Sequence, residues 1–118
     1  MHISKIVGML DARILTQLPV NDDDIETAFS SDMMSDVLAF ADKHMLLITG
    51  LTNPQSVRTA EMLDISCILY VRGKIPSEAV LTLARERNIT VLSTQHSMFN
   101  TCGILYSAGL RGGNINAG

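Results

Sequence analysis

Residues 45–71 read MLLITGLTNPQSVRTAEMLDISCILYV, and this stretch decides the fold. Met45 to Thr49 is apolar almost throughout, as a strand covered on both faces must be. Thr52 or Asn53 can then cap a helix whose first position is Pro54, where the missing proline N–H has no intrahelical partner to lose. That helix is expected to run to about Asp64, with Val57, Ala60 and Leu63 facing inward. Cys67 to Val71 makes a second apolar strand. Strand, helix and strand in so short a space make parallel pairing through a right-handed crossover the expected topology.

The same rhythm continues downstream. Pro76-Ser77-Glu78 opens a second helix with Val80, Leu83 and Ala84 on one face and Asn88 as its stop, and Thr90 to Ser93 is a further strand. A third helix begins near Ser97 and ends near Gly109, with Phe99, Cys102, Gly103 and Tyr106 in an i, i+3, i+4, i+7 apolar stripe. Upstream, Ile3, Ile6, Val7 and Leu10 form a helix face, Arg13 to Thr16 reads as a short strand, and Pro19 to Asp24 is an acidic turn. Ile25 to Ser30 alternates like a strand and leads into a helix from Met33 to about Asp42, with Met34, Val37, Leu38 and Ala41 inward. Strand segments recur about every 22 residues without a leucine-rich consensus, so the pattern is β/α alternation and not a solenoid. The expected fold is a small layered α/β domain, its mainly parallel sheet of four to five strands flanked by helices. Residues 1–110 form this single domain, and the Gly- and Asn-rich tail 111–118 is expected to be disordered.

Composition narrows the function classes. The chain has 118 residues, 47% of them hydrophobic, enough to bury a core without metals or disulfides. Nine basic residues against twelve acidic ones give a net charge of −3, and no Lys/Arg cluster exceeds the Arg85/Arg87 pair. A phosphate-neutralising surface for nucleic acid is disfavoured on that ground. The aromatic content of 4%, with no Trp, leaves little for base-stacking platforms. Apolar runs fall far short of the roughly 20 residues that cross a bilayer, and the start of the chain does not read as a signal peptide. A soluble cytoplasmic protein is expected. Cys67 and Cys102 sit inside apolar patterns and read as buried free thiols.

A run from Ser31 to Ala39, Ser-Asp-Met-Met-Ser-Asp-Val-Leu-Ala, then Ile48-Thr49, Asn53, Phe99 and Leu105-Tyr106, together resemble the DRTGG domain, a family related in fold to the N-terminal domain of HPr kinase/phosphatase. The resemblance covers about residues 2 to 110. It implies a mixed or mainly parallel α/β domain, found alone or attached to phosphotransacetylases, CBS-domain proteins and kinases, with a regulatory or ligand-sensing role. It does not imply kinase activity, because the chain has no Gly-x-x-x-x-Gly-Lys-Ser/Thr phosphate loop. The naming motif itself is altered. Asp22 keeps its acidic position, but Asp23 stands where the family has Arg, Glu26 where it has Thr, and Thr27-Ala28 where it has Gly-Gly. If those glycines admit a close backbone approach, the approach is partly blocked here.

In open α/β sheets ligands bind beyond the carboxyl ends of the strands, near a switch in strand order. Those ends carry Ser31, Asp32 and Ser35; Thr49, Thr52 and Asn53; Arg72, Gly73 and Lys74; and Ser93 and Thr94. Hydroxyls, a carboxylate, an amide, two cations and a glycine suit a small polar or phosphorylated ligand. Each has a structural reading as well. Asp32 and Asn53 can be helix N-caps, Arg72 and Lys74 solvated loop charges, and the seven methionines core filler. His2, His44 and His96 are scattered, with no Cys or carboxylate at ligand spacing, so no metal site, cofactor or catalytic residue is assigned.

The leading expectation is a non-enzymatic regulatory or sensory domain that binds a small polar ligand, phosphorylated or nucleotide, at the carboxyl edge of the sheet and works as a homodimer. The alternative is an interaction module or accessory subunit of a metabolic enzyme, without a ligand of its own. A weaker third option is an enzyme using Asp32, Asp36 or His96 as acid or base, for which no second convergent group is evident. Neither nucleic acid nor a membrane is expected as a partner.

Overall fold

A computed structural model describes residues 1–16 and 22–113. In chain order it contains α1 (Ile3–Leu10), β1 (Arg13–Ile14), β2 (Thr27–Ser30), α2 (Met34–Phe40), β3 (Met45–Thr49), α3 (Pro54–Met62), β4 (Cys67–Tyr70), α4 (Glu78–Glu86), β5 (Thr90–Ser93) and α5 (Met98–Ser107). The five strands form one sheet in the order β1-β5-β4-β3-β2. β2 to β5 are parallel neighbours in sequence order, with Ala28 beside Leu46, Leu46 beside Cys67 and Cys67 beside Thr90. β1 closes the far edge antiparallel to β5.

This order explains the layering. Successive crossovers that advance in one direction with one hand leave all three connecting helices on the same face. Val37 of α2, Val57 and Ala60 of α3, and Val80 and Ala84 of α4 therefore share one core with Leu47, Ile68 and Val91. The opposite strand residues, Leu46, Ile48, Leu69 and Leu92, pack with Ile3, Ile6 and Leu10 of α1 and Leu105 of α5. Every residue of β3, β4 and β5 is buried, the condition that makes these strands continuous apolar runs.

Several sequence expectations are corrected by packing. On α5 the inward residues are Thr101 and Leu105, with Met98 and Cys102 partly covered, whereas Phe99 is 86% and Tyr106 60% exposed. The helix is apolar around most of its girth, so two stripes offset by one residue both fit the period, and contact with α1 selects the one that starts at Met98. Leu38 lies on the outer side of α2, 39% exposed, because that helix is only seven residues long and Met34 and Val37 alone reach the sheet. The strand expected from Ile25 pairs only from Thr27. Cys67 is buried as expected, but Cys102 is only half-buried.

The tail expected to be disordered from residue 111 starts in ordered pairing. The Ala28 N–H donates to the Arg111 carbonyl at 2.9 Å, so this segment covers part of the open edge of β2. Of that tail, 114–118 lie outside the described residues, as do 19–21 of the acidic turn. No described helix is long and apolar enough to cross a membrane.

Candidate functional site

Because β2 to β5 follow one another without a reversal, there is no crevice of the switch-point kind between them. Polar groups gather instead where the ends of β2, β3 and β4 meet. Asp32, expected as the N-cap of α2, does not cap it. Met33 occupies the cap position, with no side-chain bond. The turn is closed by Ser31, whose Oγ accepts from the Met33 N–H at 3.0 Å, and this leaves the Asp32 carboxylate free to reach across to β3. Its Oδ1 accepts from the Gly50 N–H at 2.7 Å and from Thr49 Oγ1 at 3.1 Å. Thr49 Oγ1 in turn accepts from the Leu51 N–H. Both donors sit on Oδ1, and Oδ2 has no protein partner among the described residues.

Gly50 supplies the floor of the site. A Cβ there would lie 3.0 Å from Arg72 Nη2 and 3.5 and 3.6 Å from the two Asp32 oxygens, so the glycine lets both side chains close in on the same point, and any side chain would push the guanidinium outward. Arg72 is exposed, its backbone is left-handed at φ 59°, and its guanidinium pairs with no carboxylate among the described residues. The loop that carries it is fastened to the end of β5. The Arg72 N–H donates to the His96 carbonyl at 2.8 Å and the Gly73 N–H to the Thr94 carbonyl at 2.7 Å. Gly73 has the left-handed φ of 68° that favours glycine, and a Cβ there would displace the Gln95 side chain, whose Oε1 lies 2.7 Å from that point.

The remaining candidates separate into a rim and an interior. Asn53 is the N-cap of α3 and accepts from the Gln55 N–H at 3.1 Å. Thr52 is half-buried, while Ser35 and Lys74 are exposed. Ser93 and Thr94 are not open to a ligand, being 4% and 1% exposed. The Ser93 hydroxyl donates to the Lys74 carbonyl and the Thr94 hydroxyl to the Leu10 carbonyl, each at 2.9 Å. They are structural ties between the end of β5 and its neighbours. Gly50 and Gln95 stand at the strand ends by sequence but were not singled out as ligand residues; their contacts with Arg72, Asp32 and Gly73 come from different strand ends and have no local signal.

Two further features lie near the altered family motif. Asp22 accepts from the Ser4 N–H at 2.9 Å and from Ser4 Oγ at 3.0 Å, so it satisfies the first turn of α1 that the cap residue His2 leaves open. The Ser4 backbone hydrogen bond holds its carboxyl below the usual range. Ala28, at the second glycine position, lines a cleft of about 140 Å³ between the sheet and α5, together with Ile48, Cys102 and Leu105, and Arg111 stacks on the Tyr106 ring at 4.0 Å at its margin. Beneath α3, the Ser56 hydroxyl donates to the Asn53 carbonyl at 2.8 Å and lies 2.7 Å from the buried Tyr70 hydroxyl. No group of three His, Cys, Asp or Glu among the described residues could hold a metal ion.

Comparison with known proteins agrees with this architecture. A model of the DRTGG domain matches residues 5–108, and the chain belongs to that family. Among solved structures it is similar to the CBS and DRTGG domains of the regulatory region of Clostridium perfringens pyrophosphatase, complexed with the activator diadenosine tetraphosphate. The TM-score is 0.73 at 20% identity over 87% of this chain, which shows a shared fold. The chain spans 45% of that structure's length. No curated protein matches in sequence.

Proposed function

We propose that this protein is a non-enzymatic regulatory domain that binds a small polar ligand, phosphorylated or nucleotide in kind, at the edge formed by Asp32, Thr49, Gly50 and Arg72. One observation carries the reading: an unpaired guanidinium and a carboxylate with a free oxygen face the same glycine at the carboxyl end of a buried strand. Ser31, Ser35, Thr52, Asn53 and Lys74 surround this pair in the chain and make its rim. The similar pyrophosphatase region is complexed with a nucleotide activator, which supports a nucleotide as the first class to test. No base and nucleophile converge at the edge, so binding and not turnover is the activity assigned. The reading places the domain in the cytoplasm, where free thiols such as those of Cys67 and Cys102 stay reduced.

A thermal-shift screen of nucleotides, acyl phosphates and coenzyme A compounds tests the reading. A ligand present at 100 times its dissociation constant adds about 2.7 kcal/mol of stability. Arg72→Asn tolerates the left-handed backbone and removes the cation, so it is expected to abolish the shift without lowering the stability of the free protein. A screen in which neither wild type nor variant responds to any compound would reject the reading.

A second reading is favoured by one face of α5. Phe99 and Tyr106 are exposed there, at positions that the period places on the same side with Gly103 between them. Large aromatics left in water in this way are interface material, and we propose homodimerisation through them. Sedimentation equilibrium at micromolar concentration is expected to show a dimer that Phe99→Ser dissociates. If that face holds an enzyme partner instead, the protein sediments as a monomer alone and the variant loses co-purification with the partner.

A further inference from the structure

We propose that Asp32 and Arg72 together select a bipolar ligand, one carrying an anionic group for the guanidinium and, a few bonds away, a hydroxyl or ammonium donor for Asp32 Oδ2. This rests on the ligand-binding reading above and specifies its chemistry.

The two side chains approach the same point over Gly50 within 4 Å, yet they form no ion pair with each other. Asp32 cannot rotate away without abandoning the Gly50 N–H and the Thr49 hydroxyl, both bound to Oδ1. Oδ2 is therefore a fixed, negatively charged hydrogen-bond acceptor. A simple anion brought to Arg72 also meets that negative charge, a repulsion that water moderates because both side chains are exposed. A ligand with a donor next to its anion turns the repulsion into a hydrogen bond, and charge-assisted bonds of this type are the strong ones.

Arg72 carries an independent sign of selection for its side chain. Among the described residues, five non-glycine residues have positive φ: Asp11, His44, Asp64, Arg72 and Asn88. Four are Asp, Asn or His, the types that tolerate this region through short polar side chains, and Arg72 alone is not. The loop would be less strained with Asn or Gly at this position, so the arginine is retained at a conformational cost. Its guanidinium makes no hydrogen bond to any described residue that would account for it on structural grounds.

Two ligand sources share this chemistry, a ribose phosphate and an α-amino acid, and matched probes distinguish them. Calorimetric titration of the full chain would compare AMP with its counterpart lacking both ribose hydroxyls, and L-alanine with propionate. At least one bipolar probe is expected to bind about tenfold or more tighter than its donor-less partner, the ratio a charge-assisted hydrogen bond gives. Asp32→Asn keeps a carbonyl oxygen for Gly50 and Thr49 but replaces Oδ2 with an N–H donor, and it is expected to erase that ratio while the anion still binds. Arg72→Asn is expected to weaken both members of the pair. Equal binding of a bipolar probe and its donor-less partner, or a ratio unchanged in Asp32→Asn, would overturn the inference and leave a strand-end anion site standing. Binding of none of the four probes would remove the anion site as well.

Discussion

At the residue scale, Asp32 shows how a side chain's role depends on which donor it finds. Its sequence position, between Ser31 and a helix, is that of an N-cap. Because Ser31 Oγ already closes the turn onto Met33, the carboxylate instead accepts the Gly50 N–H just past β3. Asp32→Ala would leave that N–H and the fully buried Thr49 hydroxyl to find new partners. It is expected to destabilise by about 1–3 kcal/mol in urea unfolding, with Asp32→Asn much milder, since a carbonyl oxygen can keep the same bonds. Equal stability of wild type and the alanine variant would show that water replaces the carboxylate at no cost. The cysteines differ in the same way. Burial pushes the Cys67 thiol far up, whereas Cys102 is half-buried beside the cleft, and Cys102 is the thiol expected to react first with an alkylating reagent in the native protein.

At the scale of elements, two helices are held by side chains from elsewhere in the chain. The first turn of α1 depends on Asp22, whose carboxyl is held below its ordinary 3.8 by the Ser4 backbone hydrogen bond. A depressed folded-state value means that the charged form stabilises the fold above the unfolded value, and that this contribution is lost as pH falls through the folded one. Wild type is therefore expected to lose stability more steeply below about pH 4 than Asp22→Asn, as acid titration followed by circular dichroism would show. The N-terminus of α3 is tied to β4 through Ser56 and Tyr70. The Ser56 hydrogen is given to the Asn53 carbonyl, so the Tyr70 hydroxyl must be the donor in their 2.7 Å contact. Tyr70→Phe removes that donor and leaves Ser56 still bonded, at a cost of about 1 kcal/mol. Ser56→Ala strands the Tyr70 hydroxyl in the core and is expected to cost more, up to about 3 kcal/mol. The reverse order in denaturant unfolding would mean that Tyr70 has another partner.

At the scale of the whole molecule, the sheet is a wall between two cores. Ile68 faces α2, α3 and α4, while its neighbour Leu69 faces α1 and α5, and both are fully buried. Ile68→Ala and Leu69→Ala are each expected to cost about 2–5 kcal/mol, and each variant should still unfold in one transition, because the same backbone bonds serve both layers. Two transitions in either variant would show that one layer melts alone. The alternation of strands and helices, the parallel pairing of β2 to β5 and the capping of α3 by Asn53 were all legible in the sequence, because each follows from local periodicity and local bonds. The inward stripe of α5 was not, since a helix with apolar residues on most sides satisfies the period in more than one register and only the position of α1 chooses between them. Nor was the gathering of Asp32, Gly50 and Arg72, which come from three strand ends and meet only when the sheet sets those strands side by side. The sequence by itself thus determined the layers and the edge at which polar groups collect, through interactions a few residues apart. The tertiary structure decided which of those groups face one another and which, like Ser93 and Thr94, are consumed inside the fold, because long-range packing and hydrogen bonding have no local signature.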